Sequence, residues 1–104
     1  MKEKDIKVDE SYVSFQNIDC FENACCVVDN LLRLVKSPEY NNEYWEKFIT
    51  KIPEAYYSRD VKKDPKEALL YLVCSNVFNI IELFEEAEDE EAIHALQKCE
   101  QECC

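Results

Sequence analysis

Three groups of side chains in this sequence could carry chemistry: a single histidine, the cysteines and a dense run of carboxylates. His94 is the only histidine, and a histidine general base needs a nucleophile and an orienting group beside it. Helical spacing brings only Glu90, Glu91 and Lys98 close to it, and these are ordinary surface neighbours. We therefore expect His94 to be a surface residue and the protein not to be an enzyme.

The cysteines form the second group. They are Cys20, Cys25, Cys26, Cys74, Cys99, Cys103 and Cys104. Their odd number, and a charged N-terminus that is not a secretory signal, favour reduced thiols. Cys25 and Cys74 fall on the apolar faces of predicted helices, where a free cysteine packs as a small hydrophobic side chain.

The last three cysteines support an alternative function. Cys99 and Cys103 are four residues apart and share one helix face, and Cys104 follows directly. Thiols this close could bind a soft metal or oxidise, which would make the chain a cysteine-based metal-binding or redox-sensing module. However, the shared face is apolar, and burial makes a thiol inert. The main interpretation therefore includes no metal or other cofactor and makes Cys104 the more exposed thiol.

The third group, which we call the acid cluster, places seven carboxylates within ten residues. Glu85, Glu86 and Glu88 end a predicted helix, where the macrodipole disfavours negative charge. A solvated face is the more ordinary interpretation of this run, and its uncompensated repulsion supports the alternative, a surface that docks a partner. The predicted partner-binding residues are Glu82, Glu85, Glu86, Glu88, Asp89, Glu90 and Glu91.

Composition limits both the fold and the partners. The chain has 104 residues, a net charge of −11, 47% hydrophobic residues and no glycine. Without glycine, the tight turns of a β-sandwich and the phosphate-binding loops of nucleotide enzymes are excluded. The negative charge argues against nucleic acid and anionic membranes, and no apolar run approaches a membrane span. We expect a small cytoplasmic protein that is mostly helical.

Apolar spacing and capping residues predict four main helices, and the fold class is all-α, a compact bundle with an extended N-terminal arm. We expect residues 1–11 to be a flexible leader, Tyr12–Phe15 to be the arm, and residues 12–104 to form a single domain. Residues 53–63 are predicted to be the least regular stretch, in which residues 55–57 could make a helical turn. The aromatic residues Tyr40, Tyr44, Trp45 and Phe48 are at helical spacing, which is more typical of a core than of a binding surface. The helices span residues 19–36, 38–52, 65–86 and 89–103. Their predicted capping residues are, in order, Asn17 or Asp19, Ser37, Asp64 and Asp89.

Several short motifs follow one another along the chain. They are Tyr12–Phe15, Ile18–Cys20, Asn23–Ala24, Trp45–Phe48, Ile80–Glu85, Asp89–Ala92 and Glu100–Cys104. In this order and spacing they closely resemble the CowN family, the nitrogen-fixation sustaining proteins of diazotrophic bacteria. The resemblance implies a role and not a reaction: these proteins sustain nitrogenase-dependent growth when carbon monoxide is present, without consuming the gas.

The resemblance and the composition together predict a non-catalytic protein that protects nitrogenase by binding it through the acid cluster. The molybdenum–iron component is the expected partner, because carbon monoxide binds at its cofactor. Direct trapping of carbon monoxide would need a reduced metal or a haem, and the chain has one histidine and no haem-attachment motif.

Overall fold

The computed structural model describes residues 19–104, so the expected leader and the extended arm lie outside the described residues. Within this range the chain is helical without strands, which confirms the all-α class. The expected number of about four helices is corrected to six. They are α1 (Cys20–Val35), α2 (Glu43–Thr50), α3 (Glu54–Ser58), α4 (Ala68–Ser75), α5 (Val77–Glu86) and α6 (Glu90–Cys103), with two 3-10 turns, Val61–Lys63 and Pro65–Glu67, between α3 and α4.

The first helix, α1, forms as its sequence predicts. The Asp19 side chain accepts a hydrogen bond of 3.0 Å from the Glu22 backbone N–H and caps the first turn. The apolar stripe of α1 is buried against α4 and α6. Fully buried residues from α1, α4, α5 and α6 meet in the core; among them are Val27, Leu31, Leu69, Ile80, Phe84 and Leu96.

The second helix is shorter than expected. Ser37 and the residues after it make a single turn, in which the Tyr40 and Asn41 backbone N–H groups donate to the Ser37 carbonyl at 3.0 and 3.1 Å. The helix begins only at Glu43, because the Asn42 side chain accepts from the Trp45 backbone N–H at 3.1 Å and provides the cap.

The predicted third helix over residues 65–86 is wrong, because α4 and α5 are separate helices bent by 66°. Asn76 lies at the break, and its side-chain nitrogen donates to the Leu72 carbonyl at 2.8 Å, in competition with the backbone ladder. At the other end, the expected helix start at Asp64 and Pro65 is also wrong, because α4 begins only at Ala68, although the Asp64 side chain accepts from the Leu69 backbone N–H at 3.1 Å. No single helix in residues 19–104 is long and apolar enough to span a membrane; only α4 and α5 counted together reach that length and composition.

The segment over residues 53–63 is tied to α1. The Tyr56 hydroxyl donates to the Asp29 carboxylate, and Arg59 donates to the same oxygen at 2.6 Å. The Arg59 guanidinium also lies 4.8 Å from the centre of the Tyr56 ring. This cluster fixes α3 and the turn after it against the bundle.

Two disulfide bonds join helix ends, so the expectation that these cysteines are reduced thiols is wrong. Cys20 at the start of α1 is bonded to Cys103, and Cys74 near the end of α4 is bonded to Cys104. Both pairs have Cα atoms 5.7 Å apart, within the normal range for a disulfide. Cys74 is therefore a cross-linked residue and not the packing thiol that was predicted. The pairing depends on helix packing, which brings distant ends of the chain together.

Candidate functional site

The acid cluster occupies the end of α5, the link after it and the first turn of α6. Its six glutamates are exposed to solvent, and Glu85 and Glu86 lie in the last turn of α5, as the sequence predicted. Since the helix macrodipole is negative at this end, their repulsion is not relieved by the backbone. By contrast, Glu90 and Glu91 lie in the first turn of α6, where the macrodipole stabilises negative charge.

Asp89 differs from the other members of the acid cluster. One carboxylate oxygen accepts from the Ala92 backbone N–H at 3.1 Å and caps α6, and the other is 2.6 Å from an Arg33 nitrogen. The hydrogen bond from Arg33, followed by the one from Ala92, holds the pKa of Asp89 below its ordinary value. Both oxygens of Asp89 are therefore occupied within the fold.

A groove of about 420 Å³ opens where the acid cluster meets the start of α2. Glu82 and Glu86, one helical turn apart on α5, line one side, and Glu39 lines the other. The three carboxylates are exposed at the rim, while Leu83 and Trp45 beneath them are buried. The pKa of the Tyr40 hydroxyl in this groove is raised, first by burial and then by Glu39, Glu86 and Glu88. The groove is thus an acidic opening over an aromatic floor.

The aromatic residues near the groove divide into two groups. Trp45 and Phe48 belong to the core, as expected, with ring centres 5.5 Å apart. Tyr40 is only half-buried and Tyr44 is 40% exposed, and both line the groove. Sequence reasoning missed the groove because its two walls come from residues about forty positions apart, and nothing in the local spacing signals that they meet.

An exposed aromatic side chain lies next to the acid cluster. Phe78 on α5 is 86% exposed, and helical spacing places Glu82 and Glu85 on the same face of the helix. Covering an exposed phenyl ring with a partner is favourable, because it removes apolar surface from water. The sequence held a signal for this residue, because Phe78 does not fit the inward-facing positions of α5.

The cysteines predicted as an alternative metal site lie in different environments. Cys103 and Cys104 are disulfide-bonded, whereas Cys99 is a buried free thiol whose pKa is raised to about 11, mainly by burial and then by Glu102. Cys25 is also buried, and burial likewise raises its pKa to about 11. Across residues 19–104, no three cysteine, histidine or acidic side chains converge closely enough to hold a metal ion. His94 is exposed on α6.

The fold and the surface together define a class: a small, acidic, all-helical protein with a charged helix junction and an acid-rimmed groove. The family model described as N2-fixation sustaining protein CowN matches residues 3–104. The chain belongs to the CowN family, which confirms the resemblance seen in the sequence. The name of this family describes a role in sustaining nitrogen fixation and does not specify a reaction.

The relatives support this membership over nearly the whole chain. The N(2)-fixation sustaining protein CowN of Denitrovibrio acetiphilus is 75% identical over 97% of this chain and 95% of its own length. That of Arcobacter nitrofigilis is 64% identical over the full length of both chains. That of Wolinella succinogenes is 53% identical over 91% of this chain and 81% of its own length. No solved structure matches the chain.

Proposed function

We propose that this protein binds nitrogenase in the cytoplasm and sustains its turnover when carbon monoxide is present, without itself catalysing a reaction. Membership of the CowN family carries this proposal. The molybdenum–iron component is the proposed partner, since carbon monoxide inhibits at its cofactor. The protein then acts through a surface and needs no active site of its own.

The exposed glutamates of the acid cluster are the proposed contact surface. Glu85 and Glu86 lie where the helix macrodipole opposes them, so a partner's positive charges would relieve repulsion that the fold leaves in place. Charged groups of this kind increase the rate of association and select complementary partners. Phe78, on the same face of α5 as Glu82 and Glu85, adds an apolar contact of the type that frequently dominates interface energies.

Protection by binding requires only a difference in affinity. If nitrogenase with this protein bound holds carbon monoxide tenfold more weakly, the coupling free energy is about 1.4 kcal/mol. By reciprocity, carbon monoxide then weakens the binding of the protein to nitrogenase by the same factor.

The test is nitrogenase turnover under carbon monoxide with and without the purified protein, followed by a charge-reversed variant. For the variant Glu85→Lys, Glu86→Lys, Glu88→Lys, the protein concentration needed for half-maximal protection should rise at least tenfold. Its helical content should stay unchanged. The matched control reverses three exposed glutamates outside the acid cluster and gives the same net charge. It is Glu54→Lys, Glu67→Lys, Glu100→Lys.

The control should protect nearly as well as the wild type. Absence of protection by the wild type would refute the proposed function. Equal loss of protection in the two triple variants would show that net charge matters and that the acid cluster is not the contact surface.

A further inference from the structure

We infer that the groove between α5 and the start of α2 is a receptor for an arginine side chain of the partner protein. The inference rests on the proposed function, because it names the chemistry by which the same acidic surface would hold its partner. It commits to one occupant, a guanidinium group presented by a protein surface. The volume of the groove is about 420 Å³. It falls within the roughly 300–1,000 Å³ that is usual for small-ligand sites.

The charge of the groove selects a cation. Glu82 and Glu86 are one helical turn apart, a spacing at which like charges repel, and Glu39 faces them from the opposite wall. The two ion pairs formed within residues 19–104 involve neither these glutamates nor any other residue of the groove. A positive group placed between the walls would therefore relieve repulsion as well as form new bonds.

The aromatic lining selects a planar, weakly hydrated cation. Tyr40 and Tyr44 line the opening, and Trp45 forms part of the floor. Guanidinium groups stack on such rings and donate five N–H bonds in a fixed plane, whereas an ammonium is a compact and strongly hydrated charge. A metal ion is not favoured, because no three acidic side chains in residues 19–104 converge on one point.

The walls of the groove are held in place before any partner arrives. The Tyr44 hydroxyl donates to the Asn76 side-chain oxygen and accepts from Asn79 at 2.9 Å, which fixes the ring across the junction of α2 and α5. Asn42 caps the first turn of α2. Since Tyr44 and Asn42 are already ordered, their part of the groove would cost little additional conformational entropy on binding.

The direct test is a titration of the full chain followed by nuclear magnetic resonance, with the indole N–H of Trp45, the only tryptophan, as reporter. The probes are the blocked tripeptides Gly-Arg-Gly, Gly-Lys-Gly and Gly-citrulline-Gly, in which citrulline is the neutral analogue of arginine. The arginine peptide should shift this signal, the lysine peptide should bind at least threefold more weakly, and the citrulline peptide at least tenfold more weakly.

Two pairs of substitutions test the location. Glu82→Gln, Glu86→Gln should weaken binding of the arginine peptide at least tenfold. Glu54→Gln, Glu100→Gln removes the same charge at exposed positions outside both the groove and the acid cluster and should change the binding less than twofold. Equal binding of arginine and citrulline peptides, or unchanged binding in the first pair, would overturn the inference. Binding that emerges only after Lys2→Gln, Lys4→Gln, Lys7→Gln would also overturn it and would assign the groove to the chain's own lysines.

A second measurement separates this inference from the proposed function. Affinity for the molybdenum–iron component should fall at least tenfold for Glu82→Gln, Glu86→Gln and less than threefold for Glu54→Gln, Glu100→Gln. If the wild type does not bind the component, the proposed function is refuted. The groove then cannot be assigned to an arginine of that partner. If the wild type binds and both pairs bind equally well, the inference alone is refuted.

Discussion

Asp89 shows how one residue of an acidic run can serve the fold while its neighbours face solvent. Its carboxylate caps α6 through Ala92 and bonds to Arg33 on α1, so it links two helices. Sequence reasoning placed Asp89 both as a helix cap and among the docking residues. The cap is confirmed. Docking by Asp89 stays a prediction, and both of its oxygens are already bonded within the fold.

We expect Asp89→Ala to lower the free energy of unfolding by about 1–2 kcal/mol at neutral pH, because it removes the cap. Asp89→Asn keeps a capping oxygen and should lower the free energy of unfolding by a smaller amount. Its effect therefore measures the contribution of the Asp89 charge. Because the folded pKa of Asp89 is lowered, its charge stabilises the fold above the ordinary carboxyl value of about 3.9. That contribution is lost as the pH falls through the lower folded value.

Urea unfolding of the wild type and both variants, followed by circular dichroism from neutral pH to about pH 3, checks this prediction. The difference between the wild type and Asp89→Asn should shrink as the pH falls. A difference that stays constant over this range would show that the Asp89 charge does not stabilise the fold.

At the scale of elements, the absence of glycine has a measurable consequence at the link between α5 and α6. Glu88 has a φ of 54°, in the left-handed region. The Glu88 N–H donates to the Glu85 carbonyl at 3.0 Å and the Asp89 N–H to the Phe84 carbonyl at 3.1 Å. These two bonds form the helix-ending motif that usually has glycine at the left-handed position. A glutamate there is strained, because its Cβ approaches the backbone.

Glu88→Gly should therefore stabilise the fold by about 1 kcal/mol. Glu88→Gln is the matched control, since it removes the same charge and retains the Cβ. The measurement is the thermal midpoint of unfolding of both variants at the same ionic strength. A glutamine variant as stable as the glycine variant would attribute the gain to charge and not to backbone conformation.

The elements that sequence reasoning predicted well are those whose signals are local. Asp19 and Asp89 cap α1 and α6 as expected, and the apolar stripes of both helices are buried. The break at Asn76 was missed, because the Asn76 side chain is held by Tyr44, 32 residues away in sequence. The groove was missed for the same reason, since its walls meet only through tertiary packing.

At the scale of the whole molecule, the two disulfides close long stretches of chain around the bundle. The Cys20–Cys103 bond spans 83 residues and the Cys74–Cys104 bond spans 30. A loop of either length restricts the unfolded chain enough to stabilise the fold by about 3–5 kcal/mol when considered alone. The second bond adds less than the first, because it lies within a chain that is already closed.

Reduction of both bonds should therefore lower the free energy of unfolding by at least about 3 kcal/mol. Urea unfolding with and without a phosphine reductant measures the difference. Alkylation of the oxidised protein after denaturation should modify only Cys25, Cys26 and Cys99. Modification of all seven cysteines in protein purified in air would contradict the pairing.

The proposed function requires that an acidic surface on this protein docks on nitrogenase and so sustains turnover under carbon monoxide. Its most direct test is the concentration of protein that gives half-maximal protection, measured in one turnover assay as ionic strength is raised. Because screening shortens the reach of exposed charges to about 10 Å at 0.1 M salt, we predict that this concentration rises steadily with salt for the wild type. A half-protective concentration that is independent of salt, or no protection at any concentration, would contradict docking on nitrogenase through the acidic surface.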